Sequence, residues 1–399
     1  MTRPAYRVAP SIDTPIRQDS LRAHNLILTF RQIVGARHAP ISRSELAVAT
    51  GLTRPTISRI VDELLAAGLI VEAGPARSGS SGRPRVGLNL ARTGPAGLGL
   101  DLRADSLSAC VVDLTGTVRR LVFRPLPCFD PPSVLDGLAT MASEAVAAAA
   151  AENLTVVGAT VAVPGPVRGG VAQFAPVLGW RSVDISGFFS KNVDKIPVTV
   201  ENDARLAALA ELYAGSPDLR NFVCVSGEFD IGTGIVRDGV PLPGIPGHLG
   251  HVTVDRAGPP CPCGSTGCLQ GLAGLRSLLA ATSSASVAPA VTLDSLASDG
   301  DPAVLTALDQ AATALGVALA NLVNLVGTDT VLLGGSYSLL ASWLTEGVSR
   351  ELSARVLTAA WSPIEVRPAP LGPDAAVIGA ALSAVDTIRR DPNRWLARA

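Results

Sequence analysis

One stretch of this 399-residue chain restricts its fold more than any other: residues 247–271, GHLGHVTVDRAGPPCPCGSTGCLQG. His251 stands ten residues ahead of Cys261, and Cys263 and Cys268 follow. Three thiols and one imidazole make the tetrahedral set that zinc takes. The Pro/Gly-rich frame lets the backbone turn tightly enough for three sulfurs to converge. Four protein ligands leave no position open for water, so the expected Zn2+ is structural and not catalytic. Three of the six cysteines fall within eight residues. Such clustering argues against three unrelated buried thiols or a redox pair, the competing readings.

Charge divides the chain in two. Residues 1–90 hold 12 Arg, no Lys and 6 Asp/Glu, a net +6, whereas the rest holds 21 basic and 28 acidic residues, a net −7. A basic head on an acidic body points to nucleic acid as partner of the head. The length has room for two or three domains. No run reaches the ~18 uninterrupted apolar residues of a membrane span, so no membrane partner is expected. The Ala-rich run 141–151 is interrupted by Glu144 and reads as a surface helix. The first residues lack the basic-then-apolar order of a signal peptide. Six cysteines, three of them set for a metal, suit a reducing cytoplasm.

Residues 1–20 contain Pro4, Pro10 and Pro15 and read as a flexible arm. The spacing of Leu26, Ile27, Phe30, Ile33 and Val34 predicts a helix over 21–35. Ser42 or Ser44 can cap a second helix carrying Leu46 and Val48 and stopping at Thr50-Gly51. Thr53 caps a third, with Pro55 in its first turn and Ile57, Ile60, Val61, Leu64 and Leu65 on one face. Its other face carries Arg54, Thr56, Ser58 and Arg59. Two helices about so tight a turn make a helix-turn-helix, whose second helix enters the major groove. Arginine can bond guanine in bidentate fashion, and Thr and Ser can meet thymine methyls or phosphates. A small bundle with solvated arginines is the competing reading. A Gly/Ser/Arg-rich tip over 74–85 and a strand over 86–90 complete a winged domain. Gly82-Arg83-Pro84-Arg85 is extended enough to lay Arg83 and Arg85 into a narrow minor groove, unless the stretch is only a linker.

From Gly97 the pattern becomes α/β. Strands are expected at 98–101, 107–113, 156–163, 198–200, 222–225 and 329–333, with helices at 134–151, 205–213, 302–326 and from 374 onward. Asn202 and Asp203 then stand at the carboxyl end of a strand, where open α/β sheets bind ligands. Either residue also suits the N-cap of the following helix, and the two roles are compatible.

Seven motifs together resemble the ROK family of bacterial repressors and sugar kinases: VAVPGPV, ENDARLAALAE, the loop Gly232-Thr233-Gly234, GHxxHVTVD, CPCGSTGC, VLLGGS and GPDAAVIGAAL. The likeness runs from about Leu21 to Ala384. It implies a winged helix-turn-helix over 21–90 followed by a two-lobed actin/hexokinase-like (ribonuclease H-like) body. Lobe I would comprise 95–200 plus 385–399, and lobe II 201–384 with the zinc loop and the dimerisation surface. The winged head is a mark of the repressor branch.

Departures from the family pattern imply what this member does. Family kinases hold ATP phosphates in an Asp-x-Gly-x-Thr turn. Here the turn reads Asp101-Leu102-Arg103-Ala104-Asp105, and the second phosphate loop follows Glu228 and Asp230. Phosphoryl transfer rests on positioning and charge stabilisation, so the expectation is a chain without enzyme activity. In the sugar pocket, Asn202 and Asp203 persist, His248 and Gln270 stand where the family has glutamates, and Val177 replaces an asparagine ahead of Gly179-Trp180. A polar pocket with altered charge remains, because Gln and neutral His still accept hydrogen bonds. It suits a sugar, a sugar phosphate or another metabolite, or it has ceased to bind an effector. The resemblance implies a repressor that binds double-stranded operator DNA as a homodimer or homotetramer. The alternatives are an active sugar kinase and an effector-independent regulator.

Overall fold

A computed structural model describes residues 18–36, 39–73, 86–103, 106–126, 128–176, 178–193, 196–215, 218–227, 230–242, 247–280, 286 and 288–398. The chain forms two compact units, Met1–Ala91 with Thr387–Ala399 and Arg92–Asp386.

In the first unit, helix α1 (Gln18–Gly35), strand β1 (Ile41–Ser42), helices α2 (Arg43–Thr50) and α3 (Arg54–Ala66), and strands β2 (Ile70–Ala73) and β3 (Gly87–Leu90) follow in order. Of the two candidate serines, Ser42 caps α2: its hydroxyl accepts from Glu45 N, and the Glu45 carboxylate accepts from Ser42 N at 2.8 Å. This reciprocal pair satisfies two N–H groups that the first turn leaves open. Gly51, left-handed at φ 71°, stops α2 and makes the tight turn. Leu46, Ile57, Ile60, Val61 and Leu64 are buried, as are Leu26, Phe30 and Ile33 of α1. Val48 is 85% exposed and takes no part in that core. Strands β1, β3 and β2 pair antiparallel in that order, as a winged domain requires. The residues between β2 and β3, 74–85, lie outside the described residues.

The C-terminal stretch departs from the expected division. Residues 385–399 read as part of the first lobe, yet Thr387–Ala399 belongs to the DNA-binding unit. Near its end, helix α13 (Asn393–Leu396, after α12 below) turns Trp395 so that its indole N–H donates to Ala67 O at 2.9 Å, just past α3. Trp395→Ala is expected to lower the stability of this unit by about 2 kcal/mol, roughly half the cost of removing a fully buried Trp. A thermal melt followed by the DNA-binding signal checks it.

The second unit holds two sheets of the same design. The first has β4 (Gly94–Leu102), β5 (Ser106–Asp113), β6 (Val118–Pro125), β7 (Leu154–Val163) and β11 (Val198–Asn202), in the order β11-β7-β4-β5-β6. The second has β12 (Phe222–Gly227), β13 (Ile231–Arg237), β14 (Val240–Pro241), β15 (Thr330–Gly335) and β16 (Glu365–Pro368), in the order β14-β13-β12-β15-β16. Each is an antiparallel three-strand meander whose first strand then takes two parallel strands on its other side. This repeat is the two-lobed architecture that the motifs imply. A small sheet of β8 (Val167–Arg168), β9 (Val171–Ala175) and β10 (Trp180–Asp184) lies between β7 and helix α5 (Ile185–Asn192) in sequence.

Helices α4 (Pro131–Ala151) and α10 (Pro302–Val326) are long and apolar enough to cross a membrane by length and composition. Both are core helices here. The run 141–151 was expected on the surface, but Met141, Ala142, Ala145 and Ala149 of α4 pack on the first sheet. Helix α10 buries most of its middle in the second lobe, beside α11 (Ala341–Arg355) and the short helices α7 (Leu269–Ala273), α8 (Leu275–Ala280) and α9 (Pro289–Ser298).

Two helices meet where the lobes join. Helix α6 (Asp203–Ala214) follows β11 directly, and α12 (Ala375–Arg390) lies across β4. Glycine makes the second contact possible. A Cβ on Gly97 would stand 2.0 Å from Ala381 O, and one on Gly379 would stand 1.9 Å from Leu206 O. Any side chain at these positions would push strand and helices apart.

Candidate functional sites: a DNA-reading face, a metal centre and a cleft

Helix α3 sorts its charges along its length, with arginines in the first two turns and carboxylates in the third. Its acidic residues Asp62 and Glu63 pair with Arg43 and Arg22. Arg54 and Arg59 are exposed and take no partner among the described residues. Thr53 caps the helix, its hydroxyl 2.9 Å from that of Thr56, and Ser58 is exposed beside them. The first two turns of α3 therefore present two unpaired guanidinium groups and three hydroxyls. Arg83 and Arg85 lie outside the described residues.

The metal set does converge. One ligand atom from each of His251, Cys261, Cys263 and Cys268 lies within 4.8 Å of all the others. Cys261 Sγ is 3.6 Å from His251 Nδ1, and Cys263 Sγ is 3.8 Å from Cys268 Sγ. A tetrahedron with bonds of ~2.3 Å to sulfur and ~2.0 Å to nitrogen has edges of about 3.5 and 3.8 Å. The loop's own hydrogen bonds pre-form it. Cys261 N donates to Ser265 O at 2.8 Å, Gly264 N to Cys261 O at 2.9 Å, and Gly267 N to Pro259 O at 2.8 Å. Gly267, at φ 67°, approaches Asp255 so closely that a Cβ would lie 1.5 Å from its carbonyl oxygen. Burial holds the Cys261 thiol well above the usual thiol range, so a thiolate there calls for a cation.

Sequence reasoning missed the carboxylate behind the imidazole. Asp230 Oδ1 stands 3.6 Å from His251 Nε2 and raises the pKa of that ring. Nδ1 faces the sulfurs and Nε2 faces the carboxylate, the arrangement that orients a metal-bound histidine. Asp230 is 21 residues away in sequence, and only the folded loop brings it to the ring.

Two of the expected effector residues, Asp203 and Gln270, stand beside the start of β13. Asn202 caps α6: its Oδ1 accepts from Arg205 N at 3.1 Å, and its Nδ2 donates to Gly165 O at 3.1 Å and to Asp203 Oδ1 at 3.0 Å. Asp203 Oδ1 also accepts from Ala204 N at 2.7 Å. A Cβ on Gly232 would come within 3.9 Å of that oxygen. One residue earlier, Ile231 N donates to Gln270 Oε1 at 2.7 Å. The Gln270 carbonyl, expected to accept a ligand hydroxyl, thus also fastens α7 to β13. His248 Nε2 is buried without a hydrogen-bond partner among the described residues, and desolvation lowers the pKa of the ring, favouring its neutral form. Thr233 N donates to Gly247 O at 2.7 Å, which fixes the residue before it. Val177, Glu228 and Asp105 lie outside the described residues.

The altered phosphate turn has its own interaction. Arg103 Nε is 3.4 Å from Asp101 Oδ2, and its Nη2 donates to Pro373 O ahead of α12. A guanidinium therefore links the end of β4 to the turn that begins the last long helix.

Residues 97–387 match the ROK family, and residues 33–79 match the MarR family. The chain is 28% identical over 369 residues to the xylose repressor of Bacillus spizizenii, covering 91% of this chain and 95% of that protein. It is 31% identical over 231 residues to the glucokinase of Halalkalibacterium halodurans, 53% of this chain and 70% of the kinase. Among solved structures, a ROK family transcriptional regulator described as a homologue of the E. coli MLC protein aligns with a TM-score of 0.77. Identity is 27%, over 95% of this chain and 98% of that one. A ROK glucokinase from Streptomyces griseus, in complex with glucose and AMPPNP, gives 0.62 at 26% identity, over 73% of this chain and 99% of the kinase. Both kinds of relative share the body, and the repressor and the regulator match this chain over nearly its whole length. With its winged head and its duplicated α/β body, the chain belongs to the ROK family, as a DNA-binding transcriptional regulator.

Proposed function

We propose that this protein represses transcription by binding an operator as a homodimer or a pair of dimers, under the control of a small carbohydrate held in the Asn202–Asp203 cleft. The observation that carries the reading is the pair of exposed arginines on α3 that have no partner among the described residues. Arg54 and Arg59 would reach base edges, Thr53, Thr56 and Ser58 would meet bases or phosphates, and Arg83 and Arg85 would enter the minor groove. Two heads in a symmetric assembly would read half-sites one helical turn, ~34–36 Å, or a multiple apart. The work takes place in the cytoplasm, with the DNA.

The His251, Cys261, Cys263 and Cys268 set would hold Zn2+, which suits three thiolates and an imidazole. When bound, the ion cross-links the loop whose last cysteine precedes Gln270. Asn202, Asp203, His248 and Gln270 would form the effector site, and xylose is the first ligand to test because the similar repressors are named for it. An effector acts by binding one arrangement of the protein more tightly than the other. Catalysis has no part in this reading. Arg103 stands in the turn where family kinases hold phosphate and is already engaged with Asp101 and Pro373.

Arg59→Ala is expected to weaken operator binding by about 1–3 kcal/mol, roughly 5- to 150-fold, in an electrophoretic shift assay. Unchanged affinity removes α3 as the reading helix. Saturating xylose and other neutral sugars should alter wild-type affinity, and no change for any of them removes the sensing role. ATP-dependent glucose phosphorylation that disappears in Asp203→Asn would replace the non-enzymatic reading with a kinase.

A further inference from the structure

The second lobe carries a pocket that the DNA-reading face, the metal loop and the cleft do not use. Its volume is about 420 Å³, within the usual range for small-ligand sites. Trp361 and Leu357 are among the apolar residues that line it, and Asn221, Arg237, Asp238 and Asp329 among the polar ones. None of the Asn202–Asp203 cleft residues contributes.

Trp361 is used unlike the other tryptophans. Trp180, Trp343 and Trp395 donate their indole N–H to Phe129 O, Asp294 Oδ1 and Ala67 O. Trp361 is 72% exposed, and its N–H has no acceptor among the described residues. An indole left in water forgoes the burial that usually stabilises it, and both its ring and its donor remain available to a ligand.

The polar groups beside it are fixed in place. Asn324 Nδ2 donates to Arg355 O at 3.1 Å, and Asn324 Oδ1 accepts from Leu357 N at 3.0 Å, which holds the Trp361 segment to α10. Arg237 donates to Val326 O. Asp238 sits in the tight Asp-Gly turn between β13 and β14, at φ 52°, with its N–H bonded to Asn221 Oδ1 at 2.9 Å. The Asp238 carboxylate has no partner among the described residues. A site built this way needs little reordering to bind.

The lining selects the chemistry of the occupant. An exposed indole in the lining favours a ligand with an apolar face. Carboxylates accept from hydroxyls, while the Asn221 amide and the guanidinium donate. Two carboxylates against one guanidinium disfavour a phosphate or another anion. We propose that the pocket beside Trp361 is a second carbohydrate site, which takes a neutral saccharide with one pyranose face stacked on the indole.

Tryptophan emission of the full-length protein, titrated with xylose, glucose, maltose and cellobiose, tests this. At least one sugar should change the emission saturably. Trp361→Ala should abolish that change, and calorimetry should show the same sugar binding at least tenfold more weakly to both Trp361→Ala and Asp238→Ala. Trp361→Phe, which keeps an aromatic face, should retain most of the affinity. Asp203→Asn should leave this binding intact, so failure of the cleft reading and failure of this one are distinguishable. The proposal is overturned if none of the four sugars gives a Trp361-dependent signal, or if Asp203→Asn abolishes it. It is equally overturned if Trp361→Ala changes the sedimentation of the free protein, which would make the patch a subunit contact, or if arginine saturates the site and the sugars do not.

Discussion

Cys268→Ser is expected to abolish stoichiometric zinc binding and to destabilise the body by on the order of 4 kcal/mol, the range for losing a structural metal. Cys268 is fully buried, with its sulfur 3.8 Å from Cys263 Sγ. A serine hydroxyl is a poor replacement for thiolate and would leave the remaining ligands an incomplete set. The effect should spread because the next residue starts α7. That helix carries Gln270, which holds Ile231, and Ala273, whose carbonyl accepts from the buried Tyr337 hydroxyl at 2.9 Å. For a unit of this size the loss corresponds to a fall of roughly 10 °C in Tm. Metal analysis and calorimetry on the same sample decide the matter. A variant that keeps one zinc per chain, or an unchanged melt, rules out the four-ligand assignment.

Glu211→Gln should make the protein more stable at pH 8 and flatten its dependence on pH. Glu211 is fully buried in α6; its Oε1 accepts from Leu371 N at 3.0 Å, and its Oε2 has no partner among the described residues. Burial pushes the carboxyl up from 4.5 to about 7, against the smaller opposing effect of the Leu371 N–H. Between these values the folded state keeps a proton that the unfolded chain releases. Stability from this group is therefore complete below pH 4.5, declines as the pH rises, and is fully lost above about 7. The difference amounts to about 3 kcal/mol. Glutamine keeps the acceptor for Leu371 and carries no charge to bury, so the two proteins should differ by roughly that much at pH 8 and converge near pH 4.5. Denaturant unfolding across that range provides the check, and parallel curves would remove the assignment.

Leu371 also explains why this site matters to the body. It lies between β16, whose exit is tied by Ala369 N to Leu333 O at 2.9 Å, and α12 on the first sheet. Glu211 holds that turn from α6, and Arg103 holds Pro373 from β4. Nothing local in the sequence marks Glu211 as different from an exposed helical glutamate. Its burial follows from two lobes closing on α6.

The metal set, the caps of α2 and α3, and the helix-turn-helix pattern could all be read from the sequence, because each is a short-range arrangement. Ligand spacing, a serine ahead of a helix and a glycine stopping one act over a few residues of backbone, although only the structure chose Ser42 over Ser44. The α/β pattern was legible for the same reason, since buried strands and amphipathic helices carry their own periodicity. The Ala-rich run of α4 misled, because alanine is equally at home on a surface and on a sheet; only the sheet decided which face was covered. The tail misled as well, since residues 387–399 carry no local sign of the unit they join.

What the sequence determined by itself was the kind of parts: a basic head, a loop carrying four candidate metal ligands, and an α/β body. Those follow from residue identity and spacing, whereas the kinase-like reading of the body and of its phosphate turn rested on the resemblance to the ROK family. The tertiary structure alone decided which side chains were already occupied: Gln270 by Ile231, Arg103 by Asp101 and Pro373, and His251 by Asp230. Gln270 meets Ile231, and His251 meets Asp230, only once the second lobe has folded, and Arg103 reaches Pro373 only once the chain 270 residues further on returns to β4. A hydrogen bond or an ion pair depends on a few ångströms of separation in space, which sequence distance does not encode.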